Sequence, residues 1–142
     1  MTKGPVPPVS YAAFVELHYR HYEMYAHARL DDAALAERVV ALVLHRAQAQ
    51  WSWVLREDPA AFTWRALCEM VSLARTLAQA PPSDRLHRAM PDRPADAALL
   101  HDLLGLAPAV AAALMGLDEP DVRVQLKAAR RWSCGHTPAG GA

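Results

Sequence analysis

The residues that break secondary structure stand far apart in this chain, and that spacing restricts it to helices. Alanine and leucine dominate the intervals and β-branched runs are short, so the long stretches suit helical rather than strand geometry. Phe14, Leu17, His18, Tyr22, Tyr25 and Ala28 recur at helical spacing, which predicts a first helix from about Tyr11 to Leu30. Asp31 or Asp32 supplies an N-cap for a second helix, and Glu37 lies near its first turn, where a carboxylate favours the positive end of the dipole. That helix is expected to run to about Leu55 and to stop at Glu57-Asp58-Pro59. A third is expected from Pro59 to about Gln79, with Phe62, Leu67, Met70, Val71, Ala74 and Leu77 as its apolar side.

Ala80-Pro81-Pro82-Ser83-Asp84 cannot continue a helix and reads as a linker. Shorter helices are expected beyond it at about Pro94–Leu104, Pro108–Met115 and Glu119–Arg131, with Gly105 and Gly116 at C-cap positions. The expected fold class is therefore all-α with two small helical domains, one over residues 9–80 and one over 87–132. A linker over 81–86 joins them, and a flexible tail covers 133–142. There is no internal repeat.

Composition narrows the function. Hydrophobic residues make up 53% of the 142 and charged residues 21%, enough for a packed core. Lys+Arg and Asp+Glu both number 15, a balance that argues against an indiscriminate polyanion binder. Cys68 and Cys134 cannot make a disulfide framework, and Cys68, among apolar neighbours, reads as a small core residue. Met1–Pro8 has no apolar h-region, and no apolar stretch approaches the roughly 20 residues that span a bilayer. The expectation is a soluble, cytoplasmic chain with no membrane partner. No Gly-rich phosphate loop, nucleophile elbow or paired-carboxylate arrangement is present, so neither an enzyme nor a cofactor is expected. His18 and His21 stand at i,i+3 without a carboxylate or thiol to complete a ligand set, and Cys134-Gly135-His136 lies in the tail; no metal site is assigned.

Two groups of motifs carry a family resemblance. In the C-terminal half they are Met90-Pro91-Asp92-Arg93, Leu99-Leu100, Gly105-Leu106, Ala112, Leu114-Met115-Gly116-Leu117, Val122-Arg123, Leu126 and Ala129-Arg130. Together they resemble, without a gap, the helix-turn-helix of region 4 in sigma factors of the extracytoplasmic-function class. In the N-terminal half Phe14, Leu17, Tyr19, Tyr22 and Ala28-Arg29-Leu30 are similar to the first helix of region 2. Ala36-Glu37-Arg38-Val39-Val40 stands at the polymerase-binding helix, and Pro59-Ala60-Ala61-Phe62-Thr63-Trp64 at the entry to the promoter-melting helix. The helix-turn-helix alone is shared with LuxR-type regulators; the order of both blocks at the right separation is the specific signal. The resemblance covers nearly all of Tyr11–Arg131 and implies a transcription regulator whose partners are core RNA polymerase or another regulator, with promoter DNA.

The residues at those functional positions point in two directions. Arg123, Lys127, Arg130 and Arg131, with no acid among them, suit phosphate contact from a recognition helix, and Gln125 can read an adenine edge. The same cations also suit a solvated helix C-terminus. Asp118-Glu119-Pro120-Asp121, with Asp118 as N-cap, brings carboxylates where the family approaches DNA with a threonine. On the polymerase-binding helix, Val39-Val40-Ala41-Leu42-Val43-Leu44 points apolar residues all the way round, so either a third helix folds over it or a partner does. Val39, Leu42, His45 and Arg46 are the expected partner-binding positions. Trp64 can stack on a base, although a tryptophan at that spacing is more often core. Two readings follow: a divergent sigma-like regulator, or a sigma-fold interaction module that binds an anti-sigma factor, another regulator or a second copy of itself.

Overall fold

The computed structural model describes residues 9–135, and every regular element among them is helical. The order is α1 (Val9–Leu30), α2 (Ala33–Ala49), α3 (Trp51–Arg56), α4 (Pro59–Leu77), α5 (Arg85–Ala89), α6 (Asp92–Ala98), a π-turn (Leu99–Leu103), α7 (Pro108–Met115) and α8 (Glu119–Gly135). Asp32 caps α2 by accepting the Leu35 N–H, and Asp58 caps α4 by accepting from Ala60 and Ala61, with Pro59 at the first helical position.

Four boundaries differ from the sequence expectation. The second helix ends at Ala49, and the chain re-aims at Gln50 so that Trp51 and Val54 pack with Tyr11, Ala47 and Phe62 in a satellite core. The Trp51 indole N–H donates to Ser10 Oγ at 2.9 Å. The expected linker over 81–86 gives way at Arg85 to a short helix, α5, capped by Asp84. The helix expected over Pro94–Leu104 starts at Asp92 and loosens after Ala98 into the π-turn, where the Leu104 N–H reaches the Leu99 carbonyl. Finally, α8 continues through Gly135, so residues 133–135 of the expected tail are helical; the rest of that tail, His136 included, lies outside the described residues.

The main core draws on both halves of the chain. Tyr22 and Tyr25 of α1, Val40 and Val43 of α2 and Leu67 and Val71 of α4 share one buried cluster with Leu99, Leu100, Leu114, Val122 and Leu126. Each such side chain contributes roughly 1.5–3 kcal/mol by leaving water. The apolar run on α2 is mostly consumed here. Val39, Val40, Val43 and Leu44 are buried against α1 and α4, while Ala41 and Leu42 face outward, Leu42 at 56% exposure. Trp64 is also core and packs on the Tyr25 ring at 4.5 Å.

Gly116 closes α7 in the left-handed conformation, at φ +71, and the α7–α8 turn lies directly on α4 there: a Cβ on Gly116 would overlap the backbone of Ala61. Gly105 shares the left-handed φ, at +74, but faces open space. Gly105→Ala should therefore cost only the backbone term, about 1–2 kcal/mol. Gly116→Ala should cost more, because α4 and the turn must also part. Urea denaturation of the two variants measures the difference, and equal losses would show that the turn does not bear on α4.

Candidate functional site

The most unusual chemistry in the molecule is a charged cluster with almost no exposure. Arg29 of α1 is 1% exposed; its Nη1 donates to the Tyr25 hydroxyl, and Asp84 and Asp96 carboxylate oxygens each stand 3.6 Å from its guanidinium. The Tyr25 hydroxyl passes a hydrogen bond to Asp96 Oδ1 at 2.6 Å. His87 lies between the two carboxylates, Nδ1 2.7 Å from Asp84 Oδ2 and Nε2 2.7 Å from Asp96 Oδ1. Only an imidazolium donates from both nitrogens, so this geometry calls for protonated His87. Two cations and two anions then balance inside the fold.

Local structure explains the arrangement. Asp84 is the N-cap of α5 and takes the His87 backbone N–H at 2.9 Å, which fixes the histidine three residues on. Asp96 stands alone among Ala95, Ala97 and Ala98 on α6, a helix otherwise buried by small apolar side chains. Burial draws the His87 imidazole down, yet the hydrogen bonds to Asp84 and Asp96 outweigh it and leave the pKa above the usual value. Burial likewise pushes Asp84 up, and the His87 bonds with the Arg29 charge bring it below the ordinary carboxylate range. The Cys68 thiol sits beside the cluster, 3.7 Å from the Tyr25 hydroxyl and 3.8 Å from Asp96 Oδ2, with its pKa raised by burial.

Two concave surfaces flank this centre. A cleft of about 580 Å³ opens between α4, α6 and the α7–α8 turn, with Trp64, Cys68, Asp96, Met115 and Val124 among its walls. A shallower apolar groove of about 380 Å³ runs between α2 and α4, lined by Arg38, Val39, Leu42, Met70, Leu73 and Leu77. Leu42, Leu73 and Leu77 are 56%, 49% and 76% exposed along it.

The expected site residues separate accordingly. Arg123, Lys127, Arg130 and Arg131 all lie on the exposed side of α8, where Arg123 is tied to Glu119 by bonds of 2.6 and 2.9 Å. Gln125 is not with them. It is half-buried and lines the cleft, on the same helix as the buried stripe of Val122, Leu126 and Ala129. Leu42 opens into the groove, His45 and Arg46 are exposed one turn further along α2, and Arg46 lies over the Phe62 ring. Val39 borders the groove but is only 2% exposed, so most of its surface already serves the core. His18 is buried against Phe14 and Tyr22. Among the described residues no group of three or more His, Cys, Asp or Glu could hold a metal ion, and no helix is long and apolar enough to cross a membrane.

Sequence reading passed over the central cluster. Arg29 was legible only as part of a motif and Asp84 only as a linker residue, although a lone carboxylate within an alanine run, as at Asp96, is a usable signal of a buried partner. No family model matches this chain, and no curated protein matches it.

Removing one member of a buried ionic group strands the others, so Asp96→Ala should lower stability by about 3–5 kcal/mol in chemical denaturation. The pH response has a definite sign. A raised folded pKa means the His87 contribution is fully present below its unfolded value of about 6.5 and is lost as pH rises through the folded value. Asp84, with its pKa lowered, contributes above its unfolded value of about 3.9 and fades as pH falls. His18 is lowered by burial and opposes His87, losing its contribution below about 6.5. The stability difference between wild type and His87→Gln isolates one group: it should be largest at mildly acidic pH and shrink under alkaline conditions. A difference flat across that range would mean that the His87 pKa does not change on folding, and a difference growing with pH would mean that His87 is neutral in the fold.

Proposed function

We propose that this chain is a divergent sigma-like transcription regulator that acts through protein contact, with core RNA polymerase as its partner. The carrying observation is the apolar groove between α2 and α4, with Leu42, Leu73 and Leu77 exposed along it. It lies on the helix whose Ala36-Glu37-Arg38-Val39-Val40 resembles the family's polymerase-binding segment. Contiguous exposed leucines on a small protein are a feature of interaction surfaces. In this reading the region 2-like unit over 9–80 and the region 4-like unit over 87–132 are packed as one body, and the protein works in the cytoplasm. The shared core and the Arg29–Asp84–His87–Asp96 cluster support that packing. A body so joined is poorly suited to hold two separated promoter elements.

Promoter contact is the second reading, favoured by the exposed Lys127, Arg130 and Arg131 on one side of α8. The inward turn of Gln125 and the pairing of Arg123 with Glu119 weigh against base readout.

Leu42→Glu combined with Leu73→Glu should abolish co-migration with purified core polymerase while the helical signal and unfolding midpoint stay close to wild type. Retained binding in that variant sinks the groove as the contact, and no binding by the wild type sinks polymerase as the partner. For DNA, neutralising Lys127, Arg130 and Arg131 should reduce the slope of log affinity against log salt by about 0.9 per lost phosphate contact. A wild type without salt-sensitive binding removes the promoter reading.

A further inference from the structure

Neither reading of function uses the cleft between α4, α6 and the α7–α8 turn, and its chemistry is specific. Its volume of about 580 Å³ is in the range that encloses a small organic molecule. Trp64, Met115, Leu117 and Val124 supply apolar walls. At the inner end is Asp96, whose side chain is only 8% exposed. The two oxygens of this carboxylate are used unequally. Oδ1 takes Tyr25 at 2.6 Å, His87 at 2.7 Å and the Arg29 charge at 3.6 Å, whereas among the described residues Oδ2 has only the Cys68 thiol at 3.8 Å. A buried carboxylate oxygen with one weak donor has acceptor capacity left for a stronger one.

The charge at the opening selects the sign of that donor. Glu69, Asp92 and Asp121 line the cleft with Asp96, against the guanidinium groups of Arg65 and Arg93. Asp96 is already balanced by Arg29 and His87, so at the opening three carboxylates face two cations, an excess of one negative charge that favours a cation over an anion. The walls then ask for an apolar body behind the charged head.

We propose that this cleft is a ligand site for a small primary amine with an aromatic or aliphatic body, its ammonium directed at Asp96 Oδ2. The body fills the space between Trp64, Met115 and Val124. Because α4, α6 and the α7–α8 turn all border the site, occupancy stabilises the packing of the two halves by mass action. The site is independent of the polymerase groove, which lies between α2 and α4.

Phenethylamine is a suitable probe, with phenylacetate and 2-phenylethanol as anionic and neutral controls of the same shape. Calorimetric titration of the full chain should give a saturable one-site isotherm for the amine, at least about tenfold tighter than for either control. The unfolding midpoint should rise with amine concentration. Val124→Trp, at an exposed wall position outside the charged cluster, should weaken amine binding by about tenfold or more at unchanged helicity. Should that variant fail to fold, Asp121→Lys reverses a charge at the opening and should weaken the amine while sparing 2-phenylethanol. Absence of saturable amine binding up to about 10 mM overturns the proposal, as do equal affinities for amine and phenylacetate. Amine binding that is indifferent to both substitutions overturns it as well.

Discussion

Arg29 is the residue on which the rest of the structure turns, because a guanidinium at 1% exposure is tolerable only while its anions stay in place. It cannot shed its proton to escape burial, so the fold has to bring carboxylates to it. Asp84 and Asp96 arrive from the far side of a proline-containing break, and His87 bonds both of them. The ionic centre thus specifies where α5 and α6 sit on α1. Buried ion pairs add little net stability over a well-packed apolar alternative, whereas a misplaced partner is strongly penalised. The cluster therefore acts mainly on specificity, and the apolar core around Tyr25, Leu67, Leu99 and Leu114 supplies the free energy.

That division of labour explains the polar loose ends. Arg29 Nε and Nη2 and Asp84 Oδ1 lack a hydrogen bond although they are fully buried, and the Arg29–Asp84 approach of 3.6 Å is an ionic contact without hydrogen-bond geometry. Attraction over that distance offsets part of the desolvation cost and leaves the pair short of its best geometry. The short helix α5 is held by its Asp84 cap and by this cluster, with few apolar anchors of its own beyond the half-buried Leu86. Opening of the joint is thus expected to begin there, with local stability lowest where apolar contact is sparsest.

The surface is organised by the same joint. Docking α8 through Val122, Leu126 and Ala129 places Gln125 in the wall of the cleft and leaves Lys127, Arg130 and Arg131 outside. Docking α4 through Leu67 and Val71 leaves Leu73 and Leu77 on the rim of the groove beside Leu42. A basic face, an apolar groove and an acid-lined cleft are consequently presented by one body in fixed relation to one another.

Sequence alone determined the helical class, an aspartate cap on α2 at position 31 or 32, the helix-ending glycines at 105 and 116 and the core stripe of α8. These rest on local rules: spacing of apolar residues, carboxylate capping and the conformational freedom of glycine. Tertiary structure decided the rest. The break at Gln50 carries no glycine or proline and exists because Trp51 has a pocket to fill against Tyr11 and Phe62. The spacing of the apolar run from Val39 to Leu44 leaves open whether another helix or a partner covers it; α1 and α4 cover Val39, Val40, Val43 and Leu44 and leave Leu42 open. Arg29, Asp84, His87 and Asp96 are far apart in the chain except for the Asp84–His87 pair, and no local pattern announces that they meet. Their meeting depends on how α1 packs with α5 and α6, a long-range choice set by burial and charge pairing that nearest-neighbour spacing does not encode.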